Sequence, residues 1–141
     1  MLLVFCYNQT MERKELFKKI ALSIFLIFIL NFIAGKFYWY YTIWYFDILM
    51  HVFGGFFIAL LLIWLLKIKE ISSKTILEII LGVFIIGVAW EIFEIVFNNI
   101  IAGDPFNMLD TISDIFCDLA GSCLAIVYFF KKITFKNKNK L

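Results

Sequence analysis

Asp47-Ile-Leu-Met-His51, Glu91-Ile-Phe-Glu94 and Asp114-Ile-Phe-Cys-Asp118 set carboxylates and the chain's single histidine three or four residues apart inside long apolar stretches. Residues at that spacing share one face of a helix, so each segment offers a pair of side chains able to grip one ion or pass a proton. Oxygen and imidazole donors of this kind suit Zn, Mn, Fe, Mg or Ca. An ionised side chain at mid-bilayer costs about 2.5–3.5 kcal/mol on insertion scales, so groups retained there need a partner or a purpose.

The neighbours of these pairs define three faces. Asp47, His51, Gly54 and Ile58 align, with Gly55 and Ala59 beside them; Gly87, Glu91, Glu94 and Asn98 align; Asp110, Asp114, Asp118, Gly121 and Ala125 align. Each face joins charged to small residues, and small residues let helices approach closely in lipid, which marks the faces as turned into a bundle. Asp47, Glu91, Glu94, Asp114, Asp118 and His51 would then share a small space with no Lys or Arg among them. They must hold protons or recruit a cation. A hydrogen-bonded polar core that merely fixes helix register is the competing reading. Trp90, Asp110 and Asn98 stand as supporting residues, with Gly54, Gly55, Gly87 and Gly121 giving the room.

The elements that must position these groups are membrane spans. The 141 residues are 64% hydrophobic and 20% aromatic, with a mean hydropathy of +0.96, far above the roughly 45–50% apolar content of soluble domains. Four stretches, about 20–40, 47–66, 75–97 and 112–130, reach or approach the ~20 residues that cross a hydrocarbon core. The expectation is an all-α, polytopic transmembrane four-helix bundle over 20–130, with a segment 1–19 before it and a basic tail 131–141 after it. No soluble domain of useful size is expected outside the bundle.

Basic residues orient the bundle. Arg13, Lys14, Lys18 and Lys19 precede the first span, Lys67, Lys69 and Lys74 separate the second and third, and Lys131, Lys132, Lys136, Lys138 and Lys140 follow the fourth. Only Lys36 falls on the other side, so both termini read as cytoplasmic and the carboxylate pairs as lying in the outer half of the membrane. The expected location is the plasma or inner membrane, in multi-pass form. The basic tail reads as a topology anchor touching anionic lipid headgroups, not as a nucleic-acid contact. Phe37, Tyr38, Trp39, Tyr40, Tyr41, Trp44, Tyr45 and Phe46 read as an aromatic belt at the outer surface, the alternative being one wall of a lipid or sugar site above the acidic cluster.

Several alternatives find no support. There is no H-E-x-x-H, phosphate-binding glycine loop, dinucleotide fingerprint or G-x-S-x-G. Cys117 and Cys123, six residues apart on one span, point to different sides and cannot bridge each other. The opening MLLVFCYNQT lacks the core and cleavage site of a signal peptide, and Met11 is an alternative start to Met1. Asp104-Pro105 reads as a turn in the outer loop.

The three motifs also resemble the VanZ-like superfamily of small bacterial membrane proteins, whose pattern runs D-K-x-x-H, E-x-x-Q, D-x-x-x-N-x-x-G. The likeness covers the second to fourth spans, with Ile48, Glu94 and Asp118 in place of the Lys, Gln and Asn, and Asp110 where an Arg precedes the last motif. Trp90-Glu91-x-x-Glu94 and Asp110-Thr111-x-x-Asp114 look closer to an inner-membrane branch with W-E-x-x-E and D-T-x-x-D signatures. The resemblance implies a compact helical membrane domain with a motif-lined site.

Three functions remain open at this stage. The first is an outward-facing acidic/His pocket that binds a divalent cation and binds or acts on a lipid-linked or cell-envelope molecule. The second is a small proton- or cation-coupled carrier, and the third a non-enzymatic envelope factor with a structural polar core. The pattern does not choose between catalysis and binding. Membrane lipids are the expected partners, and so thin a bundle leaves homodimerisation open.

Overall fold

A computed structural model describes the backbone of residues 2–68, 72–97, 100 and 106–138, and the side chains of 13–68, 72–97, 100 and 106–131. The chain is all-helical over the elements described: α1 (Leu2–Phe37), a single-turn α2 (Trp39–Thr42), α3 (Phe46–Leu65), α4 (Ser73–Phe97) and α5 (Met108–Lys138). Four of them carry windows long and apolar enough to cross a membrane, at Arg13–Phe37, Phe46–Leu65, Ser73–Phe97 and Met108–Lys131. In hydrocarbon every backbone amide must find its partner within the chain, which is why apolar segments of this length become helices.

Local chemistry sets the ends. Ser72 Oγ accepts the Thr75 N–H at 3.2 Å and opens α4, and Asn107 Oδ1 accepts the Leu109 N–H at 3.2 Å and opens α5. These are the side-chain caps that helix N-termini require. At the far end of α3 the Ile68 N–H reaches back to the Ile63 carbonyl at 3.1 Å while Lys67 takes a left-handed conformation (φ 55°), the six-to-one closure that glycine usually serves.

Tyr38 is the other non-glycine residue with positive φ, at 57°. It stops α1 at Phe37, earlier than the expected limit near Tyr40, and its carbonyl accepts the N–H groups of Tyr41 and Thr42, both at 3.0 Å. The aromatic run is thereby split. Tyr41 (84% exposed) and Trp44 (83%) point outward, whereas Phe46 is buried at 4% and packs with Ala34 and Met50 between α1 and α3.

α3 is the central helix. It lies closest to α5, and α4 packs on both, so α3, α4 and α5 enclose a common axis while α1 leans on α3. The closest approach is backbone to backbone: a Cβ on Gly55 would overlap the Asp118 carbonyl, and one on Gly121 would overlap the Val52 carbonyl and come within 2.8 Å of Phe56 N. Away from the carboxylates the core is apolar, built from Leu16, Ile20, Ala59, Leu60, Ile63, Ile79, Val83, Ala125 and Ile126. At that end Arg13 sits over the Trp64 ring at 5.2 Å and Lys19 over the Tyr128 ring at 5.5 Å. Both cations thus tie the start of the Arg13–Phe37 span to its neighbours.

Candidate functional site

α3 and α5 begin, and α4 ends, at the same end of the bundle, so one to three helical turns from that end the three acidic faces meet. Asp47 lies in the first turn of α3, with His51 one turn deeper. Asp114 and Asp118 sit at about 9 and 15 Å of helix rise into α5. Glu91 comes from the second-last turn of α4 and Glu94 from its last.

His51 is the hub. Its Nδ1 stands 3.4 Å from Asp118 Oδ1, while its Nε2 stands 3.9 Å from Asp47 Oδ1, 3.9 Å from Glu91 Oε1 and 4.0 Å from Asp114 Oδ1. The three Nε2 separations exceed hydrogen-bond reach. His51, Glu91, Asp114 and Asp118 are buried, whereas Asp47 and Glu94 are half-buried toward the bundle end. Glu91 is only 4% exposed, and its Oε1, shielded from solvent, has no hydrogen-bond partner. An unpaired buried carboxylate oxygen is costly, since it forfeits hydration without replacement.

Two overlapping ligand groups emerge, Asp47–His51–Asp114 and His51–Glu91–Glu94, each with donor atoms within 4.8 Å of one another. Lysine does not balance them: the described lysine ion pairs, Glu15–Lys18 and Lys74–Glu78, belong to the opposite end. Helix dipoles assist in part. The N-termini of α3 and α5 favour Asp47 and Asp110, but Glu94 lies in the last turn of α4, where the dipole disfavours an anion. Among the described residues no lysine or arginine pairs with these carboxylates, which converge on one imidazole.

Glycine makes the seat for Asp118. A Cβ on Gly87 would come within 2.7 Å of Asp118 Oδ2 and one on Gly54 within 3.7 Å of Oδ1, while Gly55 lies against the Asp118 backbone. Of the supporting residues, Asp110 is exposed at the start of α5, and Trp90 is 53% exposed with its ring 5.6 Å from that of Phe93. Asn98 and the Asp104-Pro105 turn lie outside the described residues. Cys117, half-buried, and Cys123, exposed, are free thiols.

One member of the aromatic run, Tyr40, stands close to the carboxylates. The Tyr40 hydroxyl donates to Asn31 Oδ1 at 2.9 Å, and its ring meets Phe46 edge-on at 5.0 Å. Burial, reinforced by the nearby Asp47 and Glu94 charges, pushes the phenol up to about 12. Tyr40 thus stands at the rim of the carboxylate group.

A family model described as "Predicted membrane protein (DUF2238)" matches residues 1–134. No curated protein and no solved structure matches the chain.

Proposed function

The chain belongs to the DUF2238 family of predicted membrane proteins, and from that premise we propose that its polar pocket, opening outward, binds a divalent cation and uses it to bind or act on a lipid-linked or cell-envelope molecule. One observation carries the reading: four carboxylates surround His51 at 3.4–4.0 Å with no lysine or arginine among the described residues paired to them, and one of their oxygens, Glu91 Oε1, is buried without a hydrogen-bond partner. A divalent ion offsets two negative charges and gives that oxygen something to bind. The donor set, one imidazole and several carboxylates, is chemically suited to it.

Outward orientation is supported by the basic residues at the other end, and the plasma or inner membrane by that same bias. The amphiphilic class of ligand is supported by the exposed Tyr38, Tyr41, Trp44 and Tyr45, which lie in the segment leading into Asp47 and are of the type enriched at the membrane interface. A coupled carrier is less well supported, because beneath the carboxylates Leu60, Ile63, Ile79 and Val83 are essentially inaccessible, and among the described residues the buried polar side chain there, Ser122, donates to the Leu119 carbonyl at 2.7 Å. The donors all come from one chain, so a homodimer is not needed to complete the pocket.

The test is metal content. Protein purified in detergent without chelator should hold close to one divalent ion per chain, lose thermal stability in EDTA and regain it on adding the ion. Glu91→Gln should fold and show no such response. Metal-free protein whose melting is indifferent to every divalent ion would end the proposal and leave the structural polar core.

A further inference from the structure

We infer that the cluster is divided into an ion-binding face and a positioning group: His51 Nε2 with the carboxylates of Asp47, Glu91 and Asp114 takes the ion, while Asp118 holds the imidazole from behind, giving a mixed nitrogen–oxygen site that selects Mn²⁺, Fe²⁺ or Zn²⁺ over Ca²⁺ and Mg²⁺. This deepens the cation-binding reading above and rests on it.

The two ring nitrogens of His51 face different surroundings. Nδ1 has a single acidic neighbour at 3.4 Å, Asp118 Oδ1, whereas Nε2 faces three carboxylate oxygens from three helices at nearly equal distances, 3.9, 3.9 and 4.0 Å. An Nδ1–H donated to Asp118 fixes the tautomer and leaves the Nε2 lone pair facing the three oxygens. Metal-bound histidines commonly hold their second nitrogen against a carboxylate in this way. Bonds of about 2.0–2.2 Å to one tetrahedral ion bring donor atoms to roughly 3.3–3.6 Å of one another; Asp47, His51 and Asp114 already offer donors within 4.8 Å of one another, whereas Glu91 groups at that distance with His51 and Glu94 and has the longer way to move.

Asp118 is poorly placed to make such a movement. Gly87 and Gly54 flank its carboxylate and its backbone abuts Gly55, so the group is wedged where α3, α4 and α5 meet. Glu91, by contrast, directs its unpartnered, solvent-shielded Oε1 at Nε2. That orphan oxygen, independent of the tally of acids, marks the ligand side. Glu94 joins His51 and Glu91 in the second donor group from the half-buried mouth, leaving the outward position open to it or to a ligand. The imidazole sets the selectivity, because Ca²⁺ and Mg²⁺ prefer all-oxygen surroundings.

The experiment is metal titration of the full chain in detergent or nanodiscs, with pulsed EPR on the Mn²⁺-loaded protein. One Mn²⁺ or Zn²⁺ per chain should bind, with Ca²⁺ and Mg²⁺ at least tenfold weaker, and the spectrum should show a directly bound ¹⁴N that His51→Gln removes. Asp118→Asn should keep one ion and the nitrogen signal with affinity lowered about 10–100-fold, and Asp114→Asn should lose more. If no divalent ion binds, the cation reading falls and this inference with it. If ions bind but Ca²⁺ or Mg²⁺ binds tighter, or the wild-type spectrum lacks nitrogen coupling, the inference alone is overturned. It is also overturned if folded Asp118→Asn loses binding as completely as Asp114→Asn does. The wild-type spectrum and ion preference decide the question even where a variant fails to fold.

Discussion

Gly121→Ala tests whether the α3–α5 contact positions the site. The added Cβ would overlap the Val52 carbonyl and lie 2.8 Å from Phe56 N, where ordinary contact begins at 3.4 Å. The shortfall is at least about 0.6 Å at the nitrogen and larger at the oxygen. Both obstacles are backbone, so no rotamer change relieves them and the helices must part. Overpacking of this kind costs about 1–3 kcal/mol, here at the upper end, against roughly 1 kcal/mol gained from alanine's better helix propensity. A net loss of about 2 kcal/mol follows, or a melting point about 6–8 °C lower if each kcal/mol shifts it by roughly 3–4 °C. Gly35→Ala is the matched control, because a Cβ there meets nothing within 4 Å, and it should raise the melting point slightly. The assay is thermal unfolding in one detergent followed by near-UV circular dichroism. If the two variants melt within about 1 °C of each other, the close approach does not hold the bundle and the reasoning is wrong.

Gly87→Ala should lower stability by about 1 kcal/mol, since the new methyl meets the hemmed-in Asp118 carboxylate, and it should weaken ion-induced stabilisation about tenfold in titre, read by thermal shift against metal concentration. Leu60→Ala should separate the two effects: truncating a side chain only 1% exposed costs about 2–5 kcal/mol in a packed core, with the ion response of the remaining folded protein retained. Tyr40 gives a pH prediction. Its phenol holds its proton up to about 12 when folded and to about 10 when unfolded, so the unfolded chain releases the proton first and stability declines as pH rises across that window. Tyr40→Phe should flatten this alkaline decline and remove the highest-pH step from a 295 nm titration.

Much of this arrangement could be read in the residues before any coordinates. Four apolar stretches gave four spans, because hydrocarbon leaves the backbone no option but a helix, and the three- and four-residue spacings brought Asp47, His51, Glu91, Glu94, Asp114 and Asp118 to one end. What escaped depended on contacts between helices. Ile58 was aligned with the acidic face, yet it is only half-buried while Gly55 and Ala59 face α5 and the core, since the crossing, not the wheel, decides which side turns inward. The end of α1 was misplaced by a few residues because a tyrosine, not a glycine, takes the left-handed turn. Phe46 was counted with the belt although it plugs the α1–α3 contact. Nor could spacing distinguish Asp118 from the other acids, because its role depends on which ring nitrogen it meets.

The greasy layer of Leu60, Ile63, Ile79 and Val83 has an electrical corollary. A full traverse of the bilayer is worth about 2.3 kcal/mol per elementary charge at 100 mV, but under the proposed function an ion held at His51 would cross only part of that drop, with the apolar layer beyond it. Occupancy should therefore respond weakly to voltage, and cells producing the protein in quantity should keep their membrane potential undiminished.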